Sequence, residues 1–480
     1  MKNLWFLFLF LMISCAQNPS EPDIETVRNK VEKGSFREAK TTINIVLASD
    51  QLSEKERKAW KFELERMERI KKDFTQSEEE IWETVKYYAS DLDRETFEEW
   101  LAKGWFQSRM INGEKRYFNR AATNVFHVYK EAQKYLTRAK SNFTEEAPLY
   151  RWHQHHGEVM ASAQKSGKKS VQPRKARITY TLTVDADAVP DGETIKTWIP
   201  FPREIEGRQE DVRLVNSSPK NARVAPNEKL QRTVYLEKPA KKGKKTEFRV
   251  EYEYTSYARY VNIEPEKVVK LEDKAAFEPY LEQRLPHIHF TDTLKKLSEE
   301  IVGDETNPFR KARRIFEYVD RIPWAGAREY STILNLADYA IQAGQADCGQ
   351  VSMLLITLFR MNGIPVRWQS GWEFSPESFD TMHDWAMAYF EPYGWVPVDV
   401  THGLLSGAPD EKGRWFYLGG MDSYRLIFND DFSREFEPEK EYFRSETIDS
   451  QRGEVEWSGG NLYFDQWTYD MDWSFEPIKE

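Results

Sequence analysis

Cysteine is almost missing from this chain. Of its 480 residues only Cys15 and Cys348 carry a thiol, so a framework of internal disulfides is excluded and stability must come from packed cores. A long apolar run is missing too. The stretch from Leu4 to Ile13 is too short to span a bilayer, and no later segment is longer and equally apolar. Nor is there an excess of positive charge: a net charge of -10 and a pI near 5.6 argue against nucleic acid as a partner. Histidine is scarce, and the one tight group, His153, His155 and His156, has no cysteine or carboxylate at ligand spacing. Neither a metal nor a cofactor is expected, and those histidines read as a solvated helix end.

The length exceeds what one core organises, so about three domains are expected. The fold class read from the pattern is α+β and multidomain. Residues 22–165 read as a helical domain: Gly34-Ser35-Phe36 parts two amphipathic segments, Ser53 begins a long charged helix, and Ser77 with Glu80 forms a capping box. A β-hairpin is expected inside it around Asn112-Gly113, a type I′ pair. The segment 163–173, rich in Ser, Gly and Lys, reads as a linker. After it the period becomes two, with Ile178, Tyr180, Leu182 and Val184 alternating with Thr179, Thr181 and Thr183. This predicts a β-sandwich over 174–262, with the run Lys241–Lys245 at a solvated tip. Sixteen tryptophans suit large cores or a cleft for an extended polymer.

Chemistry concentrates later. Cys348 stands before an apolar run, Val351, Leu354, Leu355, Leu358 and Phe359, spaced as a buried helix that Gly363 and Pro365 close. A sulfur at a helix N-terminus faces unpaired N–H groups and the positive end of the dipole, which favour thiolate. Downstream, His383–Phe390 and Trp395–Asp399 read as two strands joined at Glu391–Gly394, a hairpin that brings His383 and Asp399 within a few rungs of each other. A sulfur nucleophile, an imidazole to carry its proton and an acid to orient that imidazole are then present in the order Cys, His, Asp. His402 and Asp384 are the other groups able to orient the ring. Asp347 puts a carboxylate beside the sulfur, which opposes thiolate formation unless it points away. Asn429-Asp430-Asp431 lacks the spacing of a calcium loop and reads as a turn.

These pieces, Cys348, Gly363-Ile364-Pro365-Val366-Arg367, His383-Asp384-Trp385 and Gly394-Trp395-Val396-Pro397-Val398-Asp399, resemble the transglutaminase-like superfamily of papain-type cysteine enzymes. The resemblance implies a catalytic domain over 285–403 with Cys348 as nucleophile, His383 as base and Asp399 as its orienting acid, though Val400 stands where the family usually has proline. The Cys348 N–H is expected to form half of an oxyanion hole, with Trp324 and Tyr330 as candidates for the other half. Residues 404–480 read as a C-terminal β extension on the catalytic core. The expected activity is hydrolysis of amide bonds in a protein, peptide or other amide-containing polymer through an acyl thioester. Amine transfer by a transglutaminase and a noncatalytic envelope-binding module are the alternatives.

Lys2, the apolar stretch and Ser14-Cys15 resemble a bacterial lipoprotein signal over residues 1–15. That resemblance implies lipidation at Cys15 and a membrane-anchored protein of the cell envelope.

Overall fold

The computed structural model describes residues 23–138, 151–375 and 380–479, so Cys15 and the leader lie outside the described residues. The fold is α+β and multidomain, and the chain divides into two compact units, residues up to Lys72 with Arg109–Arg116, and the remainder.

The first unit holds α1 (Ile24–Glu32), α2 (Phe36–Leu47) and most of α3 (Glu54–Asp73). Asp23 starts α1 by accepting from the Thr26 N–H at 2.6 Å. Between α1 and α2 Gly34 has φ +84°, and a Cβ there would lie 2.6 Å from the Met110 carbonyl oxygen, so only glycine fits. Val27, Val31, Phe36, Ala39 and Ile43 form the buried faces of α1 and α2. A fully buried ion pair, Arg66 to Glu63 at 2.6 Å, lies on α3. Strands β1 (Ser108–Ile111) and β2 (Glu114–Tyr117) turn at Asn112 (φ +53°) and Gly113 (φ +91°), the two positive angles a type I′ turn needs.

The second unit begins with α4 (Glu78–Tyr88), whose Ser77–Glu80 capping box is formed, then α5 (Arg94–Ala102), α6 (Ala121–Val128), α7 (Lys130–Gln133) and α8 (Gln154–Ser166). The segment expected to be a linker is instead the end of α8, capped by Gly167 at φ +70°, and the start of β3 (Ser170–Val184). Val171 and Pro173 are buried there, so apolar positions among the small polar ones make it part of the fold.

The strands that follow are β4 (Thr194–Pro200), β5 (Gln209–Ser218), β6 (Arg223–Val224), β7 (Thr233–Pro239) and β8 (Thr246–Tyr260). They build two sheets that share a core of Ile178, Tyr180, Leu182, Ile199, Val234, Leu236, Val250 and Tyr252. Next come α9 (Asp292–Val302), α10 (Pro308–Asp320), α11 (Leu336–Ala343) and α12 (Cys348–Met361), then β9 (Val366–Phe374), β10 (Asp380–Phe390) and β11 (Gly394–Val398). Last are β12 (Gly420–Met421), β13 (Arg425–Asn429), β14 (Glu454–Trp457), β15 (Gly460–Leu462) and β16 (Trp467–Pro477).

The C-terminal strands do more than cover the catalytic region. β16 pairs with β3 from Trp467↔Val184 to Pro477↔Arg174, and β14 with β15 extends the other sheet beyond β4. The sandwich is therefore completed by residues more than 190 positions after its last N-terminal strand, a long-range pairing that local alternation cannot reveal.

A separate four-stranded sheet, in the order β11-β10-β9-β13, carries the candidate site. Its backing helix α12 is buried along nearly its whole length, from Gly349 to Arg360, against Val366, Trp368, Ala386 and Ala388. Because strand side chains alternate, β10 shows Asp384, Ala386 and Ala388 to α12, and His383 and Trp385 to the other face.

Candidate active site

Asp347 is the N-cap of α12, and its carboxylate accepts from the Gln350 N–H at 3.1 Å while the Gln350 side chain returns a bond to the Asp347 N–H at 3.2 Å. Cys348 is the first helical residue. It is half-buried and opens on a cavity of about 150 Å³ bordered by Asp347, Asp384, Asp449, Arg120, Arg452 and Trp324. The nearest polar partner of the sulfur is Asp384, whose Oδ2 accepts from Sγ at 3.4 Å. Asp384 is further held by the Gln451 amide, which donates to Oδ1 at 2.8 Å, and by the Tyr330 hydroxyl at 3.3 Å from Oδ2.

Tyr330 does not offer a free donor to a substrate. Its hydroxyl lies 2.7 Å from Asp347 Oδ2 and accepts from the Gly349 N–H at 3.0 Å. A Cβ on Gly349 would lie 2.1 Å from that oxygen, so the glycine is what lets the tyrosine reach the helix end. The Cys348 N–H has no hydrogen-bond partner among the described residues. Trp324 runs beside the turn before α12, Ala325 N–H donating to the Ala346 carbonyl at 3.0 Å, and borders both the sulfur's cavity and a second one of about 510 Å³ that also contacts His402 and Thr401.

The electrostatics of the sulfur reverse the expectation of a thiolate. Burial raises the Cys348 thiol well above its ordinary range, and the charges of Asp384 and Asp347 raise it further. Two of the helix-end N–H groups that would have opposed this, those of Gln350 and Gly349, are already bonded to Asp347 and Tyr330. Burial, and then the charge of Asp347, lifts Asp384 to about 7. Asp347 itself rises to about 6 by burial, against the hydrogen bond from Tyr330. Asp449 is pushed well up by burial and the charge of Asp384.

His383 and Asp399 meet on the other face of β10. The antiparallel register Ala386↔Val398 brings His383 Nε2 to 2.8 Å from Asp399 Oδ2. Around them lie Glu373, 3.6 Å from the same nitrogen, His402 at 2.9 Å from Glu373, and Arg425 at 3.1 Å from Asp399. Burial alone would raise Asp399, but His383, His402 and Arg425 hold it well below the usual carboxylate range. The structure thus joins His383 to Asp399 and Cys348 to Asp384, and among the described residues no hydrogen bond links Cys348 with His383.

Glu373, His383 and His402 place ligand atoms within 4.8 Å of one another, a set able to hold a metal ion. Arg425 already supplies the positive charge facing those carboxylates, 3.6 Å from Glu373 and 2.8 Å from Asp422, so the cluster reads as an imidazole, carboxylate and guanidinium network. Other readings from sequence change. His155 and His156 are buried rather than solvated, His156 Nε2 lying 3.1 Å from the Tyr417 hydroxyl, and burial lowers them to about 4 and about 3. Asp430 pairs with Arg367 at 3.0 Å and Asp431 with Arg284 at 2.6 Å, which commits the carboxylates of the Asn429 turn.

Gln451, Glu373 and Arg425 were missed by the sequence reading. The last two stand as single charges inside apolar strands, Trp372-Glu373-Phe374 and Tyr424-Arg425-Leu426, and they are cross-strand partners in the β9–β13 register. Charge of opposite sign buried within two such runs is a signal that could have paired them.

The model of the transglutaminase-like superfamily matches residues 295–400, the stretch that contains Cys348, His383 and Asp399. Residues 295–400 are a transglutaminase-like core. The uncharacterised protein YebA of Bacillus subtilis (strain 168) is 25% identical over 135 residues, 24% of this chain and 18% of that relative, so the chain matches less than a fifth of the relative's length. A candidate cysteine protease from Cytophaga hutchinsonii aligns at 16% identity and a TM-score of 0.44, covering 65% of this chain and 93% of that one. The periplasmic domain of TgpA from Pseudomonas aeruginosa, solved bound to ethylmercury, aligns at 14% identity and a TM-score of 0.25, covering 52% and 94%. The transglutaminase-like core begins inside α9 and ends directly after Asp399.

Proposed function

We propose that the chain is an extracytoplasmic cysteine hydrolase that cleaves amide bonds of a protein, peptide or similar polymer through an acyl thioester on Cys348. The observation that carries this reading is the placement of Cys348: first residue of a buried helix, open to a cavity, inside the transglutaminase-like core. Attack by sulfur forms the C–S bond and releases the amine, and water then returns the thiol. Two groups on β10 are the candidates for the proton transfers, His383, which the resemblance assigns and which pairs with Asp399, and Asp384, which touches the sulfur. The unpartnered Cys348 N–H is available to the oxyanion, with Trp324 at the cavity wall as the candidate second donor.

Incubation with glutamine-containing peptides, envelope extract and a fluorescent primary amine tests the reaction. Hydrolysis predicts cleaved amides in excess of amine adducts, both abolished by Cys348→Ala. Adducts in excess favour the transferase, and neither product favours a binding module. We further propose anchoring through Cys15. Cys15→Ser should move the protein from the membrane fraction to the soluble one, and an unchanged distribution would count against the lipid.

A further inference from the structure

We propose that Asp384 is a catalytic residue of this site, the group that takes the proton of Cys348 as the sulfur attacks. The proposal rests on the hydrolase reading and goes beyond the imidazole assignment it inherits. Proton transfer requires contact, and the contact present is Sγ to Asp384 Oδ2 at 3.4 Å. The carboxyl group is aimed by Gln451 Nε2, which donates to Oδ1 at 2.8 Å, while the Tyr330 hydroxyl, whose one proton is shared with Asp347 at 2.7 Å, lies 3.3 Å from Oδ2. Gln451 also donates to the His383 carbonyl oxygen at 3.0 Å, which ties the same amide to the backbone of β10. His383 leaves the strand on the opposite face, where Asp399, Glu373 and His402 surround it.

The chemistry closes without a further reactant. In the resting site the negative charge sits on the carboxylate and the proton on sulfur. As the C–S bond forms, the S–H bond breaks toward Asp384, which becomes a carboxylic acid. That proton passes to the nitrogen of the leaving amine as the C–N bond breaks. In the second half water loses a proton to Asp384 while its oxygen attacks the thioester, and the expelled sulfur recovers the proton. The groups facing Asp384 fit a base that cycles near neutrality: Asp347 and the Tyr330 hydroxyl from the helix-start side, Asp449 and Gln451 from the loop before β14, and Cys348 itself. Their burial and like charge set Asp384 at about 7, where a general base works best at neutral pH. Arg452 is drawn off by Glu329 at 2.7 Å and Glu446 at 2.5 Å, so it does not fix Asp384 as a permanent anion.

The test uses p-nitrophenyl acetate, whose leaving group needs no proton, so the rapid release of p-nitrophenolate reads the step at sulfur alone. Full-length wild type, Asp384→Asn, Asp384→Glu, Gln451→Leu and His383→Asn are compared, with iodoacetamide labelling of Cys348 measured on each. The burst rate should fall about 10²-fold or more in Asp384→Asn, the usual size of a lost general base, recover in part in Asp384→Glu, and fall less in His383→Asn. Labelling of Asp384→Asn should instead be faster than wild type, because a negative charge beside the thiol is gone. Because unfolding would also slow the burst and free the thiol, each variant is required to match the wild-type circular dichroism and urea midpoint, and Gln451→Leu, which leaves the carboxyl in place, should slow the burst as well. A wild-type burst that Asp384→Asn leaves equal or faster, or that His383→Asn abolishes while Asp384→Asn does not, overturns the assignment. A wild type that labels at Cys348 but gives no burst overturns the hydrolase reading, and the catalytic role of Asp384 falls with it.

Discussion

A helix N-terminus ordinarily favours thiolate, and at Cys348 two of the N–H groups that would supply that help are bonded elsewhere. Asp347 and Tyr330 take the Gln350 and Gly349 N–H groups, and burial with two carboxylates lifts the thiol. Iodoacetamide should therefore label Cys348 of the free protein at pH 7 more slowly than an unstructured cysteine peptide, with Asp347→Asn faster than wild type; labelling at or above the peptide's rate would contradict this electrostatic account. On the other face of β10, burial by itself would lower His402, but Glu373 and Asp399 overcome it and raise the ring to about 9 from an ordinary 6.5. A raised histidine contributes stability that is whole below about 6.5 and lost as pH climbs through about 9. Urea midpoints should consequently fall more steeply between pH 6 and 9.5 for wild type than for His402→Gln. Parallel slopes would show that the Glu373 pair does not stabilise the fold.

At the scale of elements, the β9–β13 pairing seats Glu373 opposite Arg425 and depends on Gly371. A Cβ there would lie 1.8 Å from the Leu426 carbonyl oxygen, a backbone atom that cannot move aside. Gly371→Ala should cost about 1–3 kcal/mol or more as overpacking, read as a lower urea midpoint, and a variant as stable as wild type would mean the two strands do not approach as described. This glycine was invisible in the sequence, because nothing local shows that a strand some fifty residues later presses on it. What could be read were features written in neighbouring residues: the Asn112-Gly113 turn, the Ser77–Glu80 box, the alternation of β3 and the helix that begins at Cys348. The His383–Asp399 contact was legible through the hairpin that joins their strands. The Cys348–Asp384 contact was not, since it depends on which face of β10 packs on α12. The burial of His155 and His156 escaped for the same reason, their partners Tyr417 and Ser423 lying more than 260 residues away.

Taken whole, the molecule spends its C-terminal residues on two tasks at once. β14, β15 and β16 finish the two sheets of the sandwich, while Asp449, Gln451 and Arg452, in the segment leading to them, wall the cavity of Cys348. Sandwich and transglutaminase-like core are therefore coupled through one stretch of chain, and β9 and β13 add Trp372, Phe374, Leu426 and Phe428 to the sandwich core. All of this serves one proposition, that Cys348 carries an acyl group during turnover. Acid quenching within the burst of p-nitrophenyl acetate hydrolysis, followed by peptide mapping by mass spectrometry, tests it most directly. The account predicts an acetyl group on the peptide that contains Cys348, absent in Cys348→Ser, whose turnover is lost. An unmodified Cys348 during turnover, or full turnover by Cys348→Ser, would contradict it.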